Sequence, residues 1–447
     1  MKNWSAGYEL IRTYVRFAFW LTHKRIVVTG RHLIPNNKPL IFAPNHQNAL
    51  MDPLALACTN SCQSTWLARA DLFQTKTARS VLNYLKLVPV YRIRDGKDNL
   101  SNNEYIFARV TRLLENKKSA ALFPEAAHSG KRQMLPHKKA IPRIALEAEE
   151  KNNFSLGLQI VPVGIYYSHY WAFNRSVIVS YGEPIEVCQY RKEYAENPQK
   201  AMLSLRDEIH ARLLPLCLQI NSEIHYQAYE NIRQLAGKAY SGIKLLSKNK
   251  DLQLFLAEKE LISKLEYIES NQPEQFEYLI KATADYFKAA AEAGQTDQQI
   301  EKTGEARWNL LLIHLASVIL SVPVFVFGFV LNALPFFIPR KLLRKKVKDI
   351  TFLSTFNFVA GLVVFPVVYL FESVLFFAVT GSVSISVVAF ILMPFTGKMA
   401  WQLREFYCET VQELKALAGT QTTRNILGEL AKQRQQLIDR ILEKTRL

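Results

Sequence analysis

Residues 39–56 read PLIFAPNHQNALMDPLAL: a short apolar run, then a loop opened by Pro44 that carries His46, then a carboxylate, Asp52, six residues on. Pro39 to Ala43 is predicted as a strand because the run is short, apolar and stopped by proline. Comparable runs recur at Ser64 to Ala68, Leu87 to Tyr91, Ser119 to Phe123, Gln159 to Tyr166 and Ser176 to Tyr181. Helical stretches lie between them, such as Asn102 to Glu115 and Pro142 to Lys151. Strand and helix in alternation predict an α/β layer, a mostly parallel sheet flanked by helices. In such sheets sites gather in the loops that follow the strands.

Outward from this layer the composition changes twice. Residues 197–305 read as charged helices, with Met202, Leu205, Ile209 and Leu213 on one apolar face after the helix start at Asn197 and Pro198. From Trp308 to Pro339 there is no charged residue, and a second apolar run from Ile350 to Phe395 is interrupted by Glu372. A span needs about 20 such residues, so both runs are expected in a bilayer. Between them stands a basic cluster, Arg340, Lys341, Arg344, Lys345, Lys346 and Lys348. Basic loops stay cytoplasmic, so a re-entrant bend at Pro323 with its tip near Phe327 and Gly328, or a cluster lying flat on headgroups, would keep it beside the first 300 residues. The second run turns either at Glu372 and Ser373 or at Thr380 to Ser382.

The amino-terminal stretch has Leu10, Ile11, Tyr14, Val15, Ala18 and Leu21 at helical spacing, with Arg12 and Arg16 on another face. It is too charged to span and reads equally as a surface helix of the domain or an interfacial one. The expected organisation is an amphipathic helix at 1–28, the α/β domain at 29–196, a helical segment at 197–305, a membrane region of two to four helices at 306–398 and a helical tail at 399–447.

Composition narrows the function. Hydrophobic residues make up 49% of the 447, which excludes general disorder. The 56 Lys and Arg against 39 Asp and Glu leave a net charge of +17, the mark of an anionic partner. No nucleic-acid module accompanies that charge, and the apolar runs point to lipid instead. Five scattered cysteines fit a reducing compartment, with no disulfide framework and no zinc spacing. A transporter is the weaker alternative, since His314 and Glu372 are the ionisable residues within the apolar runs.

Four motifs then follow in order: His46 with Asp52, a pair suited to general-base chemistry; VPVYRIRDG at 88–96, whose Arg92 and Arg94 suit a phosphate; LFPEAAHSGKR at 122–132; and IVPVGIYY at 160–167. With ARADLF at 68–73 and LPHKK at 135–139, their order and spacing resemble the glycerolipid acyltransferase superfamily over residues 25–190. Two features depart from the commonest family pattern. Five residues separate His46 from Asp52, one more than usual, and the third motif reads FPEAAHS in place of FPEGTRS. Both are similar to the fungal-type glycerol-3-phosphate and dihydroxyacetone-phosphate acyltransferases.

The resemblance implies that His46 takes the proton of an acceptor hydroxyl as it attacks an acyl thioester, with Asp52 orienting His46. It implies that Phe123, Pro124 and Glu125 position the acceptor and that Arg92 holds its phosphate, helped by Lys131 or Arg132. Acyl-CoA or an acyl-carrier-protein thioester is the cosubstrate, with no other cofactor and no metal. The acceptor is then expected to be glycerol 3-phosphate or 1-acylglycerol 3-phosphate, the partners membrane lipids, and the catalytic domain is expected to face the cytoplasm. The competing expectation is a silent scaffold or lipid-binding protein of the same fold, in which His46 and Asp52 stand apart.

Overall fold

The computed structural model describes residues 4–91, 102–243, 245–305, 307–347 and 349–445. They form two compact units, Met1–Leu218 with Val347–Phe356, and Gln219–Lys346 with Asn357–Leu447.

The first unit is built on an eight-stranded sheet. Its strands are β1 (His23–Thr29), β2 (Leu40–Pro44), β3 (Thr65–Arg69), β4 (Leu87–Val90), β5 (Ser119–Ala121), β6 (Gln159–Tyr167), β7 (Arg175–Tyr181) and β8 (Ile185–Glu186). The order is β1-β7-β6-β2-β5-β3-β4, with β8 paired to β6. Every pairing is parallel except those of β6 with β7 and β8. All residues of β2 and β7 are buried, as expected of strands covered on both faces. The helices are α1 (Ala6–Thr22), α2 (Met51–Thr59), α3 (Lys76–Tyr84), α4 (Asn102–Glu115), α5 (Ala140–Lys151), α6 (Arg191–Glu196) and α7 (Pro198–Leu213). The mostly parallel α/β layer is therefore as expected.

Two expectations are corrected. Residues 1–28 are not one helix: α1 stops at Thr22, and His23–Thr29 adds a strand beside β7, with Val27 opposite Ile178. The apolar residues of α1 do not all face inward. Arg12 is buried, donating to the carbonyls of Ser61 and Cys62 and to Glu9, while Leu10, Ile11, Tyr14 and Trp20 are exposed. Pairing each of its three nitrogens is what lets a guanidinium occupy the inward face. Second, residues 197–218 do not belong to a separate helical segment with 219–305. Met202, Leu205 and Ile209 of α7 pack into the core of the first unit with Ile144 and Leu146 of α5 and Ile160 of β6.

The second unit is helical: α8 (Tyr226–Ser241), α9 (Lys250–Asn271), α10 (Pro273–Glu292), α11 (Asp297–Glu305), α12 (Trp308–Lys346), α13 (Leu353–Thr380, whose first residues belong to the first unit), α14 (Val383–Ala418) and α15 (Gln421–Thr445). Arg233 of α8 meets Glu258 of α9 at 2.7 Å, and Arg434 of α15 meets Asp297 of α11 at 2.8 Å. α12, α13 and α14 are long and apolar enough to cross a membrane. There is no tip at Phe327 and Gly328, because α12 runs on through Pro323, Pro335 and Pro339. The second run turns at Thr380 to Ser382, where Gly381 takes a left-handed φ of 64° and Ser382 caps α14. Glu372 lies inside α13. Asn332 of α12 ties the three together: its amide donates to the carbonyl of Met393 at 3.2 Å, and its oxygen accepts from the Tyr369 hydroxyl at 2.5 Å. A buried amide in an apolar bundle needs such partners.

Candidate active site

The site is set by strand register. β2 and β5 are parallel neighbours with Phe42 opposite Ala121, so the residues four further along, His46 and Glu125, emerge side by side from the carboxyl end of the sheet. β6 flanks β2 on the other side, with Pro44 opposite Val163. Asn45 locks that edge, donating to the Ile165 carbonyl at 3.1 Å and accepting from the Ile165 amide at 2.7 Å.

Asp52 sits in the first turn of α2, wholly buried. One oxygen, Oδ2, accepts from His46 Nδ1 at 2.9 Å and from the backbone amides of Gln47 and Asn48 at 2.7 Å each. The longer spacing between His46 and Asp52 is thus absorbed by a loop whose own amides close onto the carboxylate, with Ala49 at a φ of 38°. Nδ1 faces the carboxylate, which leaves Nε2 on the other side of the ring for a proton. Phe123 stacks on the imidazole at 3.8 Å and 14°, holding its plane.

Glu125 is buried and uses both oxygens on backbone donors. Oε1 accepts from the His46 amide and Oε2 from the Leu135 amide, each at 2.7 Å. Burial pushes its carboxyl up to about 8, against the pull of the Leu135 and His46 amides, and the Asp52 charge adds to the rise. The geometry ties the loop of His46 to the loop after β5. Pro124 is buried, and its carbonyl accepts from the Lys138 amide at 2.7 Å. Ala126 follows at a φ of 57°, in the left-handed conformation, at the position where the commonest family motif carries glycine.

The structure brings His46, Asp52, Phe123, Pro124 and Glu125 together. Arg132 is buried elsewhere: its guanidinium donates to the carbonyls of Tyr167 at 3.0 Å and Ser168 at 3.3 Å and lies over the Tyr166 and Tyr170 rings. Lys131 is exposed. Arg92 lies outside the described residues, as does Arg94. Among the described residues, sequence reasoning missed two neighbours. His128 sets its ring edge-on to His46 at 5.2 Å, and burial first, then His46, lowers its pKa. Tyr167, fully buried under the Arg175 guanidinium at 4.7 Å, has its hydroxyl kept protonated by burial and then by the Asp52 charge. Tyr167 stands in the quoted IVPVGIYY, but strand alternation alone does not say which of the two tyrosines turns toward Asp52.

Comparison with known proteins follows from this geometry. Residues 25–166 match a family model described as Acyltransferase. The 1-acyl-sn-glycerol-3-phosphate acyltransferase of Borreliella burgdorferi is 24% identical over 176 residues, 39% of this chain and 64% of that protein. Glycerol-3-phosphate O-acyltransferase 2 of Saccharomyces cerevisiae is 23% identical over 295 residues, 61% of this chain and 38% of that protein. The chain therefore spans less than two thirds of the length of either relative. Among solved structures, the 1-acyl-sn-glycerophosphate acyltransferase of Thermotoga maritima is similar at a TM-score of 0.34 and 20% identity, covering 47% of this chain and 78% of that one.

Proposed function

We propose, from the acyltransferase-family domain at residues 25–166, that this chain is a membrane-bound O-acyltransferase. It moves a long-chain acyl group from a thioester donor to the hydroxyl of a glycerophosphate-type acceptor, glycerol 3-phosphate or 1-acylglycerol 3-phosphate. The observation that carries this reading is the 2.9 Å contact of His46 Nδ1 with the buried Asp52 carboxylate at the end of a parallel strand. A silent scaffold carries no requirement for that contact.

In the proposed reaction Nε2 of His46 takes the acceptor hydroxyl proton as the oxygen attacks the thioester carbonyl. The carbon–sulfur bond breaks as the tetrahedral carbon collapses, and the proton passes to the leaving thiolate. Asp52 orients the imidazole and stabilises its charged form, and Glu125 sets the loop that carries it. With Arg132 turned to backbone carbonyls, the acceptor phosphate falls to Arg92 and Lys131. Long acyl chains partition into bilayers, and the three apolar helices with the outward apolar face of α1 support a site fed from the lipid. The basic cluster at 340–348 supports a cytoplasmic catalytic side.

The test is acyl transfer by purified, detergent-solubilised protein from labelled long-chain acyl-CoA or acyl-carrier protein, with glycerol 3-phosphate and lysophosphatidate offered in parallel. Product from one acceptor, lost in His46→Ala, is expected. No product from either acceptor with either donor overturns the reading.

A further inference from the structure

The segment from Asp349 to Thr355 joins α12 to α13, two helices apolar enough to cross a membrane, yet it packs within the first unit, on the loops that form the site. Asp349 starts it by accepting from the Thr351 amide at 2.9 Å and the Thr351 hydroxyl at 2.6 Å, which shapes the short turn Ile350–Phe352. Ser354 then donates to the Tyr170 carbonyl at 3.1 Å and accepts from Arg175 at 3.3 Å. Thr355 accepts from the Leu50 amide at 3.2 Å, in the loop between His46 and Asp52. These bonds set Phe352 edge-on against His128 at 5.0 Å, and His128 is edge-on against His46 at 5.2 Å. Phe123, His46, His128 and Phe352 thus form a continuous run of rings, ending in a residue more than 220 positions downstream of His128.

We propose that Phe352 is a specificity-determining residue, the apolar wall that the donor's acyl chain lies against while its thioester carbonyl is held at His46. The polar side chains of Asp349–Thr355 are taken up, Asp349 by Thr351, Ser354 by Tyr170 and Arg175, and Thr355 by Leu50, so the group the segment sets beside His128 is the apolar ring of Phe352. Next to it the Thr351 methyl and the Trp171 ring pack on Gly130, two further apolar surfaces. On its carboxyl side the segment runs directly into α13, which is long and apolar enough to cross a membrane, the medium into which long acyl chains partition. This inference rests on the acyl-transfer reading.

Two measurements on the full-length protein separate the two claims. In the first, an equimolar series of acyl-CoAs from eight to eighteen carbons competes for one acceptor, with products resolved by mass spectrometry. Phe352→Ala is expected to change kcat/KM ratios between chain lengths by about tenfold, the scale at which a pocket tells methylenes apart. Phe352→Leu keeps packing and is expected to lie between it and the wild type. A product distribution identical in all three overturns the proposal. In the second, a long-chain acyl-CoA with a diazirine at its chain end is photolysed on the protein. The peptide containing residues 349–355 is expected to carry label that excess unlabelled acyl-CoA removes. Competed label in a protein that transfers nothing would sink the acyl-transfer reading and leave the wall. Label confined to other peptides would overturn the wall even in an active enzyme.

Discussion

Replacing Asp52 by Asn keeps the shape of the site and removes one charge. The amide oxygen can take the place of Oδ2, which accepts from His46 Nδ1 at 2.9 Å and from the Gln47 and Asn48 amides at 2.7 Å, so the loop keeps its acceptor. In the proposed mechanism, what is lost is the attraction between the carboxylate and the imidazolium formed when His46 takes the acceptor proton. With charge centres about 4 Å apart and an effective dielectric of about 20, that attraction is about 4 kcal/mol. At about 1.36 kcal/mol per decade it corresponds to a loss of about 10³-fold in kcat. KM should change little, because the charge pair exists in the transition state and not in the bound ground state. The assay is release of CoA thiol from a long-chain acyl-CoA at saturating acceptor, read with a chromogenic disulfide, beside a thermal melt to show that the variant is folded. A folded Asp52→Asn protein that keeps more than a tenth of wild-type kcat would refute the general-base reasoning.

Three further outcomes follow from the geometry. Glu125, with its carboxyl raised to about 8 by burial, holds a proton in the folded state at pH values where the unfolded chain has released it. Stability should therefore fall as pH rises from about 5 through 8, by at most about 1.4 kcal/mol per pH unit, and level off above. Glu125→Gln should flatten that part of the melting-point profile, and parallel slopes in the two proteins would contradict the assignment. Ala126, at a φ of 57°, occupies a conformation that costs a β-carbon about 1 kcal/mol. Ala126→Gly should raise the melting midpoint slightly, the relief being partly offset by the greater freedom of glycine in the unfolded chain; a lower midpoint would show that the loop is not strained. At Gly397 a β-carbon would stand 2.3 Å from the Asn332 amide oxygen, so Gly397→Ala should disrupt the knot with Tyr369 and Met393. A loss of about 1 to 3 kcal/mol is expected in detergent, and an unchanged unfolding midpoint would mean that the three helices are not joined there.

What could be read without coordinates is what local chemistry encodes. Short apolar runs stopped by Pro, Gly or charge marked six of the eight strands, and the uncharged stretches marked the three apolar helices, because both signals lie within a window of one element. β1 escaped because HKRIVVT continues a helix without a breaker and is covered on part of its length, so its strand character comes from pairing with β7. The burial of Arg12 in α1 was not legible for a related reason: two distant carbonyls accept its protons, which no periodicity shows.

The candidate site divides in the same way. His46 and Asp52 are six residues apart, and a single turn brings them together, so their pairing was legible in the chain. That Glu125 holds the His46 loop instead of offering free oxygens depended on the register of β2 against β5. That Arg132 is spent on the carbonyls of Tyr167 and Ser168 depended on where β6 ends. The docking of Asp349–Thr355 beside these loops depended on contacts across more than two hundred residues. The sequence by itself determined six of the eight strands, the helices long and apolar enough to cross a membrane, and the closeness of His46 to Asp52, since each follows from neighbours along the chain. Only the tertiary structure decided which strand ends meet and which charged groups are left to face a substrate, because register and burial are set by contacts between residues far apart in sequence.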